Sequence, residues 1–590
     1  MLSNKQFQVL RVLATVGSGL SQRQIAQQAG ISIGAVNSAL KECEAAGYIE
    51  GGALSDGGRF ALEPYRVDNA IIMAAGLSSR FAPISYEKPK GLLRVRGEVL
   101  LERQIEQLQA AGIDDITIVV GYKMESFFYL RNKYHVDIVV NEDYARRNNN
   151  STLWCVRDRL SNTLICSSDI YYTDNPFSRY EFGAYYASQH VDGSTREWCM
   201  ETGSAGRITR VTIGGSDAWI MLGHAYFDRA FSQTFVNILE REYDLPETAD
   251  KLWESIYVEH IKELAMTLRP YPEGTIHEFD SLDELREFDP HFMENVDSEV
   301  FDNIVSVLGC KKEDIHGFYP LKQGITNLSA HFAVGDKHYV YRHPGVGTDQ
   351  LIDRTAERQA LILARDLGLD GTFLYEDPQK GWKISRFISD ARNLDASSDD
   401  DLKAAMTMAR TLHESDARLD RRFDYYQESL RYTRILEDHG DGLPRGFEEL
   451  AGKMSKLAAC VQGDEMPVCV NHNDFFDSNF LIGADGTYHL IDWEYAGMSD
   501  CANDFGTFVV CCKLSKERAD LALEYYFGRT PSDGERRHFW ALVVLAGWCW
   551  YVWSLVKEAE GDNVDAWMFV YYSYAADYVD EVLSLYGCSN

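Results

Sequence analysis

At 590 residues the chain exceeds what a single hydrophobic core serves, and its length suggests about three or four domains. Apolar residues at 45% and charged residues at 25% fit a soluble globular protein and exclude a disordered or low-complexity chain. A formal charge of −32 argues against nucleic acid as the main partner of the whole body, yet leaves room for local Lys and Arg around small anionic substrates.

The opening MLSNKQFQVLRVLATVGSG lacks the apolar core and cleavage site of a leader. No apolar run is expected to reach the length of a membrane span, so no membrane insertion is expected. The twelve Cys are scattered without a C-x-x-C pair, which favours reduced thiols and a cytoplasmic location over a disulfide framework or zinc site. Residues 1–66 read as three helices and a short hairpin. Ser21-Gln22-Arg23-Gln24 is a capping box for a helix ending near Gly30. Ile31-Ser32 makes a turn, and residues 33–46 form a further helix with Val36, Leu40 and Cys43 on one face. Gly47-Tyr48-Ile49 then enters a hairpin through Gly51-Gly52 and Asp56-Gly57-Gly58, ending on Phe60 and Leu62. The pattern resembles a winged helix-turn-helix, with residues 33–46 in the recognition-helix place. Lys5, Arg11, Arg23, Lys41, Arg59 and Arg66 nearly balance Glu42, Glu44, Glu50, Asp56 and Glu63. Arg23, Asn37, Ser38, Lys41 and Arg59 are candidate DNA contacts; dimerisation or regulation through residues 1–66 stands equally open.

Residues 67–295 begin with an apolar strand at 69–73 that runs into a small-residue loop. A helix at 100–111 and strands at 116–120 and 136–140 follow, an alternation that indicates a parallel sheet with crossovers. Ligands bind beyond the carboxyl ends of such strands, where the Gly76 loop falls. Backbone N–H groups of that loop can approach a triphosphate, while Arg80 and Lys90 set positive charge where negative charge develops at the α-phosphorus. The stretch AAGLSSRFAPISYEKPKGLL at 74–93 resembles the signature of sugar-phosphate and alcohol-phosphate nucleotidyltransferases, above all bacterial CTP:phosphocholine cytidylyltransferases. That family usually has Gly at the place of Ser78. The resemblance implies that Ala75, Gly76, Ser78 and Ser79 bind CTP and that Lys90 and Arg80 serve catalysis. It also implies that Asp169, after a strand at 163–168, and Asp280, in Ile276-His277-Glu278-Phe279-Asp280, hold Mg²⁺. Alone, each Asp reads more often as a turn or cap residue; their order after the Gly76 loop favours the metal role. Asn150-Ser151 resembles a family motif at a helix start and also reads as a cap. For a cationic head group Tyr172, Trp198, Trp219 and Trp253 are candidate ring faces, each with core packing as its alternative.

Residues 296–590 begin strand-rich, at 321–332 and 338–342, before a helix at about 352–367. Residues 470–492 read VNHNDFFDSNFLIGADGTYHLID, in which His472, Asp474 and Asn479 make an H-x-D-x-x-x-x-N pattern and Asp492 ends an apolar run. Phosphoryl transfer needs a carboxylate for the attacking hydroxyl, which suits Asp474, and oxygen ligands for Mg²⁺ against ATP, which suits Asn479 and Asp492. The segment resembles bacterial choline kinases within the family that includes aminoglycoside phosphotransferases. Gln323-Gly324-Ile325-Thr326-Asn327 looks like the phosphate-covering turn, so Gly324, Thr326 and Asn327 are implied nucleotide contacts. Arg342, on Tyr339-Val340-Tyr341-Arg342, stands where a nucleotide-pairing Lys is usual, free to pair with phosphate or with Glu357. Ile491-Asp492-Trp493-Glu494-Tyr495-Ala496-Gly497 matches the metal-Asp motif, and Asp504 is expected to brace the catalytic loop. Trp550 and Trp553, three apart on one helix face, with Tyr495 and one of Tyr571, Tyr572 or Tyr574, suit a cage for a quaternary ammonium. Core packing is the alternative for this stripe.

The expected fold class is multidomain α/β. It comprises a winged helix-turn-helix at 1–66, a Rossmann-like nucleotidyltransferase with a mixed sheet and helices on both faces at 67–295, and a bilobal kinase-like α+β domain at 296–590. The expected chemistry is phosphorylation of choline by ATP, then coupling of phosphocholine to CTP to give CDP-choline and pyrophosphate. Ethanolamine or another small amino alcohol is the alternative substrate, and a DNA-binding regulator that senses choline or nucleotide is the alternative of another class.

Overall fold

Serines start the first three helices of the computed structural model, which describes residues 1–321, 327–344, 353–440, 442–560 and 564–588. Ser3 and Gln6 form a capping box before Asn4–Val16, and Ser21 and Gln24 form another before Gln22–Ala29. Ser32 accepts from the Ala35 amide at the head of Ile33–Ala45. These helices enclose Phe7, Leu10, Ile25, Val36 and Cys43. The hairpin is shorter than the sequence suggests. It joins only Ile49–Glu50 to Ala53–Leu54, and Asp56–Leu62 is a helix capped by Ser55. Ser55 Oγ also donates to the Gly47 carbonyl at 2.6 Å. A Cβ at Gly58 would stand 2.3 Å from the Tyr48 carbonyl oxygen. Gly58 therefore serves close packing of a helix, not a turn, and Arg59 sits on that helix rather than at a wing tip. The exposed residues Arg23, Asn37, Ser38 and Lys41 remain on the surface.

Packing divides the chain into two units, Met1–Asn303 and Ile304–Asn590. In the first, a seven-stranded sheet runs in the order Thr267–Pro270, Tyr185–Thr202, Ile208–Phe227, Thr163–Ser167, Asn69–Ala74, Ile116–Val120, Asp137–Val140. The last four strands are mutually parallel, whereas Ile208–Phe227 joins Thr163–Ser167 antiparallel, so the sheet is mixed. Strand alternation sends Ala70, Ile72 and Ala74 into one core with Leu101, Ile105 and Leu108. Ile71 faces the other, with Leu153, Phe231, Phe235 and Trp253. Helices thus cover both faces. The stacked Tyr65 and Phe182 rings (5.6 Å) and Phe7 beside them seat the three-helix segment on this sheet.

The second unit holds an antiparallel five-stranded sheet in the order Ile315–Pro320, Asn327–Val334, Lys337–Pro344, Trp382–Arg386, Phe373–Asp377, with the helix Arg354–Asp366 after its third strand. A helical part follows, in which Asn503–Cys511, Asp533–Ala559 and Asp565–Leu585 pack together. One expectation from the sequence fails here. Residues 539–556 are an uncharged run long and apolar enough to cross a membrane, but 94% of that window is buried inside the unit. Its apolar side chains face protein on all sides, as in the central helix of a bundle.

Candidate active sites

The strand Asn69–Ala74 delivers the Gly76 loop to a cleft of about 570 Å³. Its walls include Ala75, Gly76, Ser78, Ser79, Arg80, Lys90, Asp169 and Asp280, so the residues singled out from sequence meet at one place. Ser78 has φ 51°, the left-handed region that explains why glycine is common at this point of the loop. Lys90 is buried over the Phe81 ring, and its Nζ lies 2.7 Å from Asp169 Oδ2. Arg80 reaches Asp280 Oδ1 at 2.6 Å from a more exposed position. Asp169 follows the strand Thr163–Ser167, and Asp280 follows Ile276–Glu278, which pairs with Ile170–Tyr172.

That pairing brings in a residue the sequence reading passed over. Glu278 lies opposite Ile170, the neighbour of Asp169. Its side chain keeps an exposed face, yet desolvation by the surrounding protein and then the Asp169 charge push its carboxyl up to about 8, against the pull of Lys90. Its spacing from Asp280, two residues along an extended segment, was the available signal. Glu197 joins the same acidic group, its carboxyl raised by burial and then by Asp280. Asn148, Asn149 and Asp250 also line the cleft. Asn150 is wholly buried and donates to the Thr248 carbonyl at 2.9 Å, while Ser151 donates to the Asn148 carbonyl. Neither caps the helix Asn150–Cys155; both tie its start to neighbouring loops.

Two of the four aromatic candidates are corrected by burial. Tyr172 belongs to the core with its hydroxyl 3.3 Å from His224 Nδ1. Trp253 is sealed between Tyr186, stacked at 5.8 Å, and Phe227. Trp198 and Trp219 are half-buried on the long hairpin, Trp198 next in sequence to Glu197 and Trp219 edge-on to His190. None of the four lines the cleft.

In the second unit Asn479 Nδ2 donates to Asp474 Oδ2 and to the Asp474 carbonyl, both at 2.8 Å. Burial, and then the charge of Asp492, lift the Asp474 carboxyl well above the usual range. Asp504 accepts from the backbone amides of His472 and Asn473 at 3.0 and 2.7 Å, and lies 2.9 Å from His413 Nε2. The His472 ring meets the Ile491 carbonyl at 3.0 Å, which fixes the loop against the segment carrying Asp492. Asn473 and Asp492 both hold positive φ, 64° and 68°.

Arg342 is buried and forks between Glu357 (2.6 Å), Glu376 (3.3 Å) and Asp492 (3.4 Å). Burial would raise the Glu357 carboxyl, but Arg342 and Lys383 outweigh it and hold the group well below the usual range. Glu376 is pushed up to about 8 by burial and by Glu357. Asn327 donates to Glu494 at 2.7 Å. Gly324 and Thr326 lie outside the described residues.

Tyr495 meets Trp550 edge-on at 5.6 Å, and Trp550 meets Trp553 at 6.0 Å. Trp550 and Tyr495 are buried; Trp553 is half-buried with its Nε1 unpartnered. Of the three tyrosines, Tyr571 is buried, its hydroxyl raised by burial first and then by Cys511 and Asp474, whereas Tyr572 is exposed and Tyr574 donates to the Leu514 carbonyl.

Three family matches divide the chain: the MarR family over residues 2–59, the MobA-like NTP transferase domain over 70–192 and the phosphotransferase enzyme family over 320–540. The choline-phosphate cytidylyltransferase of Streptococcus pneumoniae is 32% identical over 220 residues, 37% of this chain and 96% of that protein. The 2-aminoethylphosphonate cytidylyltransferase of Lancefieldella rimae is 34% identical over 225 residues, 38% of this chain and 92% of its own length. The crystal structure of the choline kinase LicA from Streptococcus pneumoniae aligns with a TM-score of 0.42 at 23% identity, covering 48% of this chain and 98% of that one.

Proposed function

Through its middle segment this chain belongs to the cytidylyltransferases with a MobA-like NTP transferase domain, and from that membership we propose a bifunctional enzyme that makes CDP-choline from choline, ATP and CTP. The phosphotransferase segment phosphorylates choline, and the middle segment then couples phosphocholine to CTP with release of pyrophosphate. The observation that carries the choline reading is the edge-on Tyr495–Trp550–Trp553 ring cluster, packed at the core of the unit that holds Asp474. A quaternary ammonium donates no hydrogen bond, so ring faces and nearby carboxylates are what hold it.

In the kinase step Asp474, held by Asn479, positions the choline hydroxyl and takes its proton. Arg342, held by Glu357, offers its fork to the ATP phosphates. In the transferase step a phosphocholine oxygen attacks the α-phosphorus of CTP and pyrophosphate leaves. Lys90 and Arg80 neutralise the charge that grows there, and amides of residues 75–79 cradle the phosphates. Both acidic groups fit Mg²⁺. Asp169 and Asp280 converge with a surplus of negative charge that raises Glu278, and Asn479 and Asp492 offer hard oxygen donors beside Asp474. When bound, Mg²⁺ supplies charge neutralisation on phosphate oxygens. For phosphocholine, Trp198 and Trp219 remain the candidate rings, half-buried on the long hairpin, since Tyr172 and Trp253 are sealed in the core.

A second reading, ethanolamine or another small amino alcohol, draws support from the similarity to an enzyme whose name specifies a primary amine. Incubation with ATP, CTP, Mg²⁺ and either alcohol, followed by mass spectrometry, is expected to give CDP-choline with the larger kcat/KM. Equal or better use of ethanolamine overturns the choline reading. Residues 1–66 are assigned to DNA contact or dimerisation; salt-sensitive binding of duplex DNA, or its absence together with a dimer, tells which.

A further inference from the structure

Cys460 lies on the helix Phe447–Gln462, and Cys588 on the turn after the helix Asp565–Leu585. Their Sγ atoms are 3.3 Å apart, 128 positions apart in sequence. A disulfide has its sulfurs at about 2.05 Å, so bond formation asks for a closing movement of about 1.3 Å, within reach of side-chain torsions. The approach is held by contacts other than the sulfurs. Gly587, at φ 72°, ends the last helix, and the Cys588 amide donates to the Leu583 carbonyl at 3.0 Å. Tyr586 donates to Asp464 Oδ2 at 2.5 Å beneath the Arg537 guanidinium, which lies 4.2 Å from its ring centre and donates to Asp464 Oδ1. Asp464 follows directly on the helix and turn that carry Cys460. Cys588 is exposed and Cys460 half-buried, whereas seven of the other thiols are buried. An incoming oxidant therefore meets the exposed partner of a pair already in contact.

We propose that Cys460 and Cys588 are a reversible dithiol/disulfide site that staples the turn following the final described helix to the helix Phe447–Gln462. The oxidant is a small-molecule disulfide such as oxidised glutathione. The Cys588 thiolate attacks one glutathione sulfur, the glutathione S–S bond breaks and one glutathione thiolate leaves. The Cys460 thiolate then attacks the Cys588 sulfur of the mixed disulfide and expels the second glutathione. Two protein thiols are oxidised, one glutathione disulfide is reduced to two thiols, and the two protons lost by the protein thiols pass through solvent to the released glutathione thiolates. The staple bears on the kinase unit, because Asp464 also meets His538 Nδ1 at 2.9 Å. The other ring nitrogen of His538 lies 2.9 Å from Asp500, opposite Val468 on the strand that leads into His472.

The full chain is equilibrated in glutathione buffers of rising oxidised fraction, quenched in acid, blocked with N-ethylmaleimide and digested. The expected product is one cross-linked peptide pair joining Cys460 to Cys588, lost on return to reduced glutathione. Persistent glutathione adducts on Cys588, a disulfide between two copies, or no reaction in fully oxidised buffer overturns the site. Thermal unfolding of the kinase unit is expected to shift upward in the oxidised wild type and not in Cys588→Ser, whose exposed position leaves the reduced fold and basal ATP turnover unchanged. A cross-link with no shift overturns the staple.

Discussion

Ser78 holds a backbone conformation that L-residues with a Cβ adopt at a penalty, and it does so inside the nucleotide cleft. Ser78→Gly relieves that penalty while adding flexibility to the unfolded chain, so stability is expected to change by less than about 1 kcal/mol. Pyrophosphate release by this variant should stay within a few-fold of the parent. Ser78→Val, β-branched at positive φ, should lose both stability and turnover. Lys90 is a different case: it is buried in the cleft wall with its Nζ 2.7 Å from Asp169. Lys90→Met is expected to lower cytidylyl transfer by about 10²–10³-fold, the magnitude typical of one lost charge-stabilising donor. ADP release from choline and ATP should be unaltered. A matching loss in both assays would show that the substitution damaged the chain as a whole rather than the site.

At the scale of elements, helix Trp253–Glu259 is joined to the cleft through one side-chain pair. Asn149 Oδ1 accepts the Trp253 amide at 2.7 Å, and Asn149 Nδ2 donates to Glu254 at 3.2 Å, with Tyr186 as a further donor at 3.4 Å. Burial pushes the Glu254 carboxyl up to about 7. The folded state therefore binds this proton more tightly than the unfolded chain. Its stabilising effect is complete below the ordinary glutamate pKa and is lost as pH rises through about 7, a change of about 3 kcal/mol at most. The stability of the first unit to urea should fall from pH 5 to pH 8, and Glu254→Gln should flatten that slope. Gly547 supplies a second test. A Cβ there meets the Tyr571 carbonyl oxygen at 2.9 Å and the Ala575 amide at 3.0 Å, both backbone atoms of the neighbouring helix. Gly547→Ala is expected to destabilise the kinase unit by about 1–3 kcal/mol and to raise KM for choline, since Trp550 and Trp553 ride on the displaced helix.

These elements also mark where sequence reading worked and where it stopped. The Gly76 loop with Lys90, and the His472–Asn479 run, were legible because their chemistry is encoded over about ten residues of chain. The partners of Arg342 were half legible: Glu357 was foreseen, while Glu376 arrives by strand pairing across the sheet. Burial of Tyr172 and Trp253 is a tertiary outcome that aromatic identity alone does not disclose. The helix at Asp56–Leu62 was hidden because two glycines read as a turn, although Ser55 stood before them as a helix cap. The uncharged run at 539–556 was visible as composition, and only packing shows that protein, not lipid, surrounds it.

For the molecule as a whole, the proposed reactions are sequential, and the product of one is the substrate of the other. Asp474→Asn removes the proposed base while keeping a partner for Asn479, so CDP-choline from choline should vanish but CDP-choline from supplied phosphocholine should persist. Asp169→Asn should do the reverse, accumulating phosphocholine and releasing ADP without pyrophosphate. An equimolar mixture of the two variants is expected to restore CDP-choline from choline after a lag, because phosphocholine made by one population reaches the other through solution. The lag should shorten with protein concentration, as a free intermediate requires, and disappear when phosphocholine is added at the start. A mixture that stays silent, while each variant passes its own half-reaction, would contradict the proposed order of the two steps.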